Sequence, residues 1–396
     1  MSENIKHMPQ NMVGNWNYPT AVRFGVGRIK EIAEVCRSLG MSNPLLITDA
    51  GLAALPMVAD VVATCKADGL GCDVFSNIKP NPVGQNIMDG VAYYHAGNHD
   101  GVIAFGGGSG LDAAKAIALM VGQDRPLWDF EDVGDNWTRA NADKIAPIVA
   151  VPTTSGTGSE VGRASVITHE ETHIKKIIFH AKMMPSVVID DPELTVGLPA
   201  KLSAATGMDA LSHNLEAYCA PGYHPMADGI AVEGIRLIQK SLVDSVKDGT
   251  NLVARSDMMI ASSMGATAFQ KGLGGMHALA HPLGGIYDAH HGMLNAILMP
   301  YVLIANRSVI EDRAAYLARC LDLSDASFDG LLQWVLDLRT TLDIPNALSA
   351  IGIDEDRVDE IGVLATEDPS AGGNPIQFTP EEYSSILLKA VRGELS

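Results

Sequence analysis

The chain has 396 residues, 47% of them hydrophobic and 19% charged, and a formal net charge of -19. That length exceeds one ordinary core and predicts two domains, and the composition is that of a core-rich globular protein, not a disordered one. So acidic a chain excludes nucleic acid and anionic membranes as partners, because both require a positive surface.

Any anion it binds must be held locally, by backbone amides or a few placed cations. The five cysteines (Cys36, Cys65, Cys72, Cys219, Cys320) are scattered without a CxxC pair, which fits reduced thiols in a cytoplasmic protein. The opening MSENIKHMPQNM lacks an apolar signal core and no run approaches membrane-spanning length. A cytoplasmic location with no membrane partner is the expectation.

Helix-like stretches at 28–39, 52–68, 84–97 and 110–121 alternate with short apolar runs. Pro44–Thr48 ends at Asp49-Ala50-Gly51, Asp100–Phe105 ends in GGGSG, and Ile145–Val151 ends in PTTSGTG. This alternation predicts a parallel, Rossmann-like sheet covered by helices on both faces. Two prolines and a glycine in Asp191–Pro199 interrupt the pattern. Beyond them Ala, Leu and Met recur at helical spacing through 200–219, 225–246, 252–269, 276–286, 292–305 and 310–321. The expected division is an α/β dinucleotide-binding domain over 1–196 and an all-α, metal-binding domain over 197–396. TEDPSAGGNPIQF, residues 366–378, reads as a surface loop before a final helix.

GGGSGLDAAK, residues 106–115, follows a strand and leads into a helix. That context offers helix-terminus amides to a pyrophosphate. Gly106, Gly107 and Gly108 permit close backbone approach, and Ser109 adds a hydroxyl. Gly108-x-Gly110-x-x-Ala113 fits the G-x-G-x-x-A variant of the dinucleotide fingerprint, but the acid expected about 20 residues further on is not obvious. An acid instead precedes the loop. Asp49, ending the earlier strand, could accept hydrogen bonds from an adenosine ribose and would repel a 2′-phosphate, favouring NAD over NADP. Two plainer readings stand beside these: Asp49 caps the helix starting near Gly51, and the glycines form a tight turn with no ligand. PTTSGTGSE also follows a strand, and two such loops weigh toward a ligand.

In TGMDALSHNLEAY, Asp209 and His213 stand four apart and project from one helix face. GMHALAHPLGGIYDAHHG repeats that spacing with His277 and His281, followed by His290 and His291. Four histidines within the fifteen residues 277–291 are hard to explain structurally. These are six candidate ligands, and a catalytic metal needs an open position, so not all can coordinate at once. The donor set suits Fe(II), Zn, Mn, Co or Ni. Such an ion would lower the pKa of a bound alcohol or polarise an aldehyde carbonyl. His95, His99, His169, His173, His180 and His224 are read as ordinary core or surface residues.

Taken together, the motifs resemble the iron-containing (group III) alcohol dehydrogenases over nearly the whole chain, from about Tyr18 to Arg392. They are ITDAG, KPNP at 79–82, GGGSGLDAAK, PTTSGTGSE, DPELT, TGMDALSHNLEAY and GMHALAHPLGGIYDAHHG. The resemblance implies an α/β cofactor half and a helical metal half. It places the metal ligands on Asp209, His213, His277 and His291, with Fe(II) the expected ion and Zn the other choice. His281 then lies near substrate and nicotinamide as the catalytic proton carrier. The NAD-binding positions fall on Asp49 for the ribose, Gly107, Gly108 and Ser109 for the pyrophosphate, and Asn81, Asp112, Thr153, Thr154, Thr157 and Lys175 around the cofactor. A homodimer or higher homo-oligomer is implied as well. His290 departs from the usual pattern and is expected to be exposed or just outside the ligands. AFQKGLGGMH (268–277) is shorter than its counterpart in several members, and Lys271 within it is expected in solvent or, on a rival reading, against a substrate anion.

The leading expectation is an NAD-dependent alcohol dehydrogenase acting reversibly on a primary or small alcohol or its aldehyde. The first rival is a sugar-phosphate cyclase similar to dehydroquinate synthase, which needs basic residues; 255–291 offers only Arg255 and Lys271. The second is a hydroxyacid dehydrogenase of the 4-hydroxybutyrate type. A non-catalytic binding protein is the third, and the histidine cluster argues against it.

Overall fold

The computed structural model describes residues 20–172 and 174–395. In chain order the first half comprises β1 (Ala21–Phe24), α1 (Ile32–Ser38), β2 (Pro44–Ile47), α2 (Ala50–Ala53), α3 (Pro56–Ala67), β3 (Asp73–Phe75), α4 (Gly84–Ala96), β4 (Gly101–Gly106), α5 (Gly108–Met120), β5 (Ile148–Pro152), β6 (Ala164–Thr168), β7 (Lys175–Phe179) and β8 (Val187–Asp190). Six strands form one sheet in the order β1-β8-β5-β4-β2-β3, and every pairing in it is parallel. The expected parallel sheet is therefore present, with β1, β3 and β8 added to the three apolar runs that announced it. An antiparallel hairpin, β6–β7, stands apart from it; nothing in the alternation of the first half signalled it.

Both faces of the sheet are dry, which is why its central strands are continuously apolar. Along β4, Val102 and Ala104 pack with Ile87 of α4 and Leu111 and Ile117 of α5. Ile103 and Phe105 turn the other way, onto Ile32 and Val35 of α1 and Val58 and Val61 of α3. The chain leaves β2 toward one face and β4 toward the other, so a crevice opens between their carboxyl ends, where open α/β sheets bind ligands. Asp49 and Gly106–Gly108 stand at its two sides.

The expected helix over 52–68 is broken. Leu55 is extended (φ -86, ψ 147) and Pro56 occupies the first position of α3, since a proline excludes the helical conformation from its predecessor. The strand expected from Ile145 begins at Ile148, because Pro147 has no N–H to give and only its carbonyl joins the ladder, accepting from Val102.

The second half is helical: α6 (Ala200–Cys219), α7 (Pro225–Lys247), α8 (Leu252–Ala268), α9 (Gly275–Tyr287), α10 (His291–Cys320), α11 (Phe328–Thr341), α12 (Val358–Glu367) and α13 (Pro380–Arg392). These share one core running from Met208 and Leu215 through Leu279 and Ile297 to Leu387. The separate helices expected at 292–305 and 310–321 are one, α10. Its apolar stripe (Leu303, Ile310, Ala314, Leu317) continues through the polar NRSV interval. Pro300 interrupts the hydrogen-bond ladder of α10, and the buried Arg339 guanidinium donates to the nearby Ile297 carbonyl at 3.2 Å.

The halves meet through the loop after β5. Gly158 is left-handed (φ +61), and a side chain there would collide with Ala266 of α8. A Cβ on Gly156 would come within 2.8 Å of Thr206 Cβ on α6. Glycine at 156 lets the cofactor-side loop lie directly on α6, the helix that bears Asp209 and His213, and glycine at 158 lets it lie on α8.

Candidate functional site

α6 carries Asp209, His213 and Glu216, which at spacings of four and three share one face. That face is closed off from water: Asp209 is 2% exposed and Glu216 5%. After the turn at Gly272 (φ 146), α9 delivers His277 and, one turn later, His281. α10 opens with His291. One ligand atom from each of Asp209, His213, His277 and His291 lies within 4.8 Å of all the others. Such a span suits a single first-row ion with bonds of about 2.0–2.2 Å. The four ligands assigned by resemblance are thus brought together, while the exposed His290 caps α10 by accepting from Met293 N–H at 3.4 Å.

The rings are oriented from behind. His277 Nδ1 donates to Glu216 Oε2 at 2.7 Å, and His213 Nδ1 donates to the Gly156 carbonyl at 3.2 Å. Both leave Nε2 as the donor atom toward an ion, the usual arrangement behind metal-bound imidazoles. The Asn295 amide nitrogen lies 3.2 Å from His277 Nε2, 3.1 Å from His291 Nε2 and 2.9 Å from Asp209 Oδ1. Burial, reinforced by the neighbouring imidazoles, holds His277 and His291 well below the usual histidine value. They are neutral, the form that binds a metal. The His277–Glu216 contact is accordingly a hydrogen bond and not an ion pair. Burial pushes Glu216 up to about 7, against the opposing pull of the Gly274 and Met276 N–H groups.

His281 does not sit among the four ligands. Its ring stacks on His291 (5.5 Å between centroids, 14° between planes) and meets His277 edge-on. Its Nδ1 lies 2.8 Å from Asp368 Oδ2. Asp368 belongs to the segment expected as a surface loop. Instead, Pro369–Gly373 forms a 3-10 turn with Ser370 and Ala371 buried. Buried Asn374 stitches the segment in, accepting from Gly275 N–H at 3.0 Å and bonding Asn306 in both directions. The reason is satisfaction of buried polar groups at the start of α9, which a polar, glycine-rich string does not reveal.

The expected cofactor positions gather at the crevice with one difference. Gly107 starts α5 with no side-chain cap, and Ser109 Oγ donates to the Pro80 carbonyl of KPNP. Gly107 and Gly108 face Thr154 and Thr157 so closely that a Cβ on Gly108 would lie 2.6 Å from Thr157 Cγ2. Buried Thr153 continues the β4 edge through its N–H to the Gly106 carbonyl at 3.0 Å. Asn81 donates to the Asp288 carboxylate at the end of α9, bridging the two halves. Lys175 reaches the same helix, where a Cβ on Gly284 would sit 3.1 Å from its Nζ; burial lowers its pKa against the pull of Asp112, Asp288 and Asp209. Asp49 Oδ1 accepts from Leu52 N–H at 2.9 Å, so the capping reading is realised. Asp112 differs: it accepts from Ser159 Oγ and from Val166 N–H at 2.9 Å, and pairs with buried Lys115 at 3.3 Å. Both its oxygens are engaged within the protein, bracing the loop after β5.

Lys271 is neither in solvent nor facing a substrate. Its side chain is 1% exposed and pairs with Asp228 at 2.5 Å, while Arg313 holds the same carboxylate oxygen at 2.9 Å. Of the histidines read as structural, His99 bonds the Asn43 carbonyl, His180 and His224 cap helices, His169 lies on Trp128 and His95 on Tyr94. His173 lies outside the described residues. Glu216, Asn295 and Asp368 were missed. Glu216 and Asn295 carried a signal, standing three and four positions after His213 and His291; Asp368, 87 positions from His281, carried none.

Residues 19–192 match the iron-containing alcohol dehydrogenase family and residues 203–391 match its C-terminal domain family. The chain belongs to the iron-containing alcohol dehydrogenases. It is 38% identical to a 4-hydroxybutyrate dehydrogenase of Cupriavidus necator, over 94% of this chain and 99% of that one. Among solved structures, a 1,3-propanediol oxidoreductase superposes with a TM-score of 0.90 at 35% identity, covering 95% of this chain and all of that one (100%). A sulfoacetaldehyde reductase from Bifidobacterium kashiwanohense, solved with NAD+, gives 0.87 at 28% identity over 96% and 99% of the two chains. This chain is an oxidoreductase of that family, and its two-part architecture is the family's.

Proposed function

We propose that the chain is an NAD-dependent, metal-activated dehydrogenase of short primary alcohols, working reversibly on the matching aldehydes. The observation that carries this is the convergence of Asp209, His213, His277 and His291 beside the crevice where the glycine loops end. One carboxylate and three imidazoles fit a divalent ion; Fe(II) is our choice and Zn the second. When bound, that ion supplies Lewis-acid polarisation of the substrate oxygen.

The chain's own residues do the rest. The amides of Gly107, Gly108 and Ser109 at the start of α5 hold the pyrophosphate, and Asp49, which spends only Oδ1 on its cap, takes the adenosine ribose through its other oxygen. Thr153, Thr154, Thr157, Asn81 and Lys175 position the nicotinamide end, braced by Asp112. His281 accepts the hydroxyl proton while the carbinol hydride passes to nicotinamide C4, so the cofactor carries the redox chemistry and the protein supplies orientation and charge.

The three relatives named above concern a hydroxyacid, a diol and a sulfonated aldehyde. We therefore favour short substrates with a second polar group at the far end. Lys271 does not bind that group, being paired with Asp228. The cyclase reading loses both its cations, since Arg255 is also buried and donates to Ser203 Oγ and the Gly249 carbonyl. A homodimer is supported by β1: among the described residues its outer edge pairs with no strand, and Val22, Phe24 and Val26 beside it are exposed. All five thiols are free, which supports a cytoplasmic setting. The test is NADH formation from a panel of alcohols, diols and hydroxyacids, with Fe(II) or Zn added in turn. Metal-free protein with full turnover, or a panel with no NADH from any member, overturns this reading.

A further inference from the structure

We propose that Asp368 is the positioning residue of the proton-transfer step, fixing His281 through its Nδ1–H and stabilising the charge that His281 gains. The inference rests on the reading of His281 as proton carrier and adds the residue through which that carrier is made competent. Asp368 is held by both oxygens: Oδ2 accepts from His281 Nδ1–H at 2.8 Å, and Oδ1 accepts from Ser370 N–H at 2.8 Å. Its side chain is 8% exposed and that of His281 10%. Asp368 is thus a carboxylate held in a mostly dry place by one histidine and one turn.

The turn is rigid for reasons of its own. Asp368 caps it, Pro369 occupies its first position, and Asn374 anchors its far end to the start of α9. The same helix carries His281, so the carboxylate and the imidazole are referenced to one element. With Nδ1–H committed, the ring's basic nitrogen is Nε2. In alcohol oxidation the O–H proton passes to Nε2, the C–H pair passes as hydride to NAD+, and the products are aldehyde, NADH and an imidazolium. Asp368 stays ionised throughout and stabilises that cation, as a buried carboxylate does behind other catalytic histidines. In aldehyde reduction the same proton returns from Nε2.

The test is a double-mutant cycle of Asp368→Asn and His281→Ala, scored by kcat, bound metal per chain and NADH binding by fluorescence. Asparagine keeps the cap and the shape while removing the charge. We expect Asp368→Asn to lower kcat about 10–100-fold, with metal content and NADH binding unchanged and a larger solvent isotope effect. In the His281→Ala background the same change is expected to have no further effect. An equal loss in both backgrounds, no loss in either, or loss of metal or fold overturns the role given to Asp368. Wild-type kcat in His281→Ala alone overturns the His281 reading beneath it, a distinct result.

Discussion

Replacing Glu216 with glutamine should weaken metal binding and fold stability together, and the structure fixes by how much. The carboxylate accepts three hydrogen bonds. Oε1 takes Met276 N–H at 2.6 Å, while Oε2 takes Gly274 N–H at 2.8 Å and His277 Nδ1–H at 2.7 Å. A glutamine has one acceptor oxygen, so its NH2 group must face either Met276 N–H or the Gly274–His277 pair. At least one buried donor is left unpaired, at a cost of about 1–3 kcal/mol. If the oxygen stays with Met276, His277 loses the partner that fixes its tautomer, and metal affinity falls by about 10–100-fold. That fall corresponds to about 1.4–2.7 kcal/mol, so the two routes agree in size. The assay is chelator competition for Fe(II) or Zn, run beside urea unfolding of the metal-free protein. Unchanged metal affinity together with an unchanged unfolding midpoint would refute the claim that Glu216 orients His277.

Three other substitutions probe separate parts of the structure. Asp190 is buried with an unpartnered oxygen, and burial, then the charge of Glu160, raises its pKa well above the ordinary value. A carboxyl raised on folding contributes stability that is complete below its unfolded pKa and lost as pH rises through the folded one. Asp190→Asn should therefore gain more stability over the parent at pH 9 than at pH 5; equal differences in urea midpoint at both pH values would sink this. Gly108→Ala should raise KM for NAD about tenfold, near 1.4 kcal/mol, because its Cβ would lie 2.6 Å from Thr157 Cγ2. Adding Thr157→Ser should recover part of that loss with metal content constant throughout, and no recovery would place the clash elsewhere. Lys271→Ala should cost about 1–3 kcal/mol of stability, tempered by the Arg313 contact that remains on Asp228. It should leave KM for 4-hydroxybutyrate unaltered; a large rise in that KM would return Lys271 to the substrate.

How much of this was legible depends on the range over which each signal acts. The strands β2, β4 and β5 were readable because burial on both sheet faces forces continuous apolar runs, and the glycine loops because strand ends and helix starts adjoin in sequence. The ligands were readable as a pool of six. Helical spacing pairs Asp209 with His213 and His277 with His281, but only the family pattern set His281 and His290 aside. Their separation has a physical cause in the fold: His281 is turned onto Asp368, and His290 is used as the cap of α10. Glu216 was present in the same i, i+4, i+7 row and was overlooked because a buried glutamate is unusual unless something holds it; here three donors do. Asp112 misled for the opposite reason. Its place in the first turn of α5 suits a cofactor, yet Lys115 and the loop after β5 are buried beside it and need its charge. Lys115 is one helical turn away, but Ser159 and Val166 come from dozens of positions away, and a polar side chain near a ligand-binding turn gives no local sign of whether it faces the ligand or the wall behind it. The Asp368–His281 contact is the extreme instance, since the segment that looks most like solvent-exposed loop supplies the carboxylate closest to the proposed proton carrier. Sequence spacing identifies groups that share an element; groups that meet only by packing must be found in the fold.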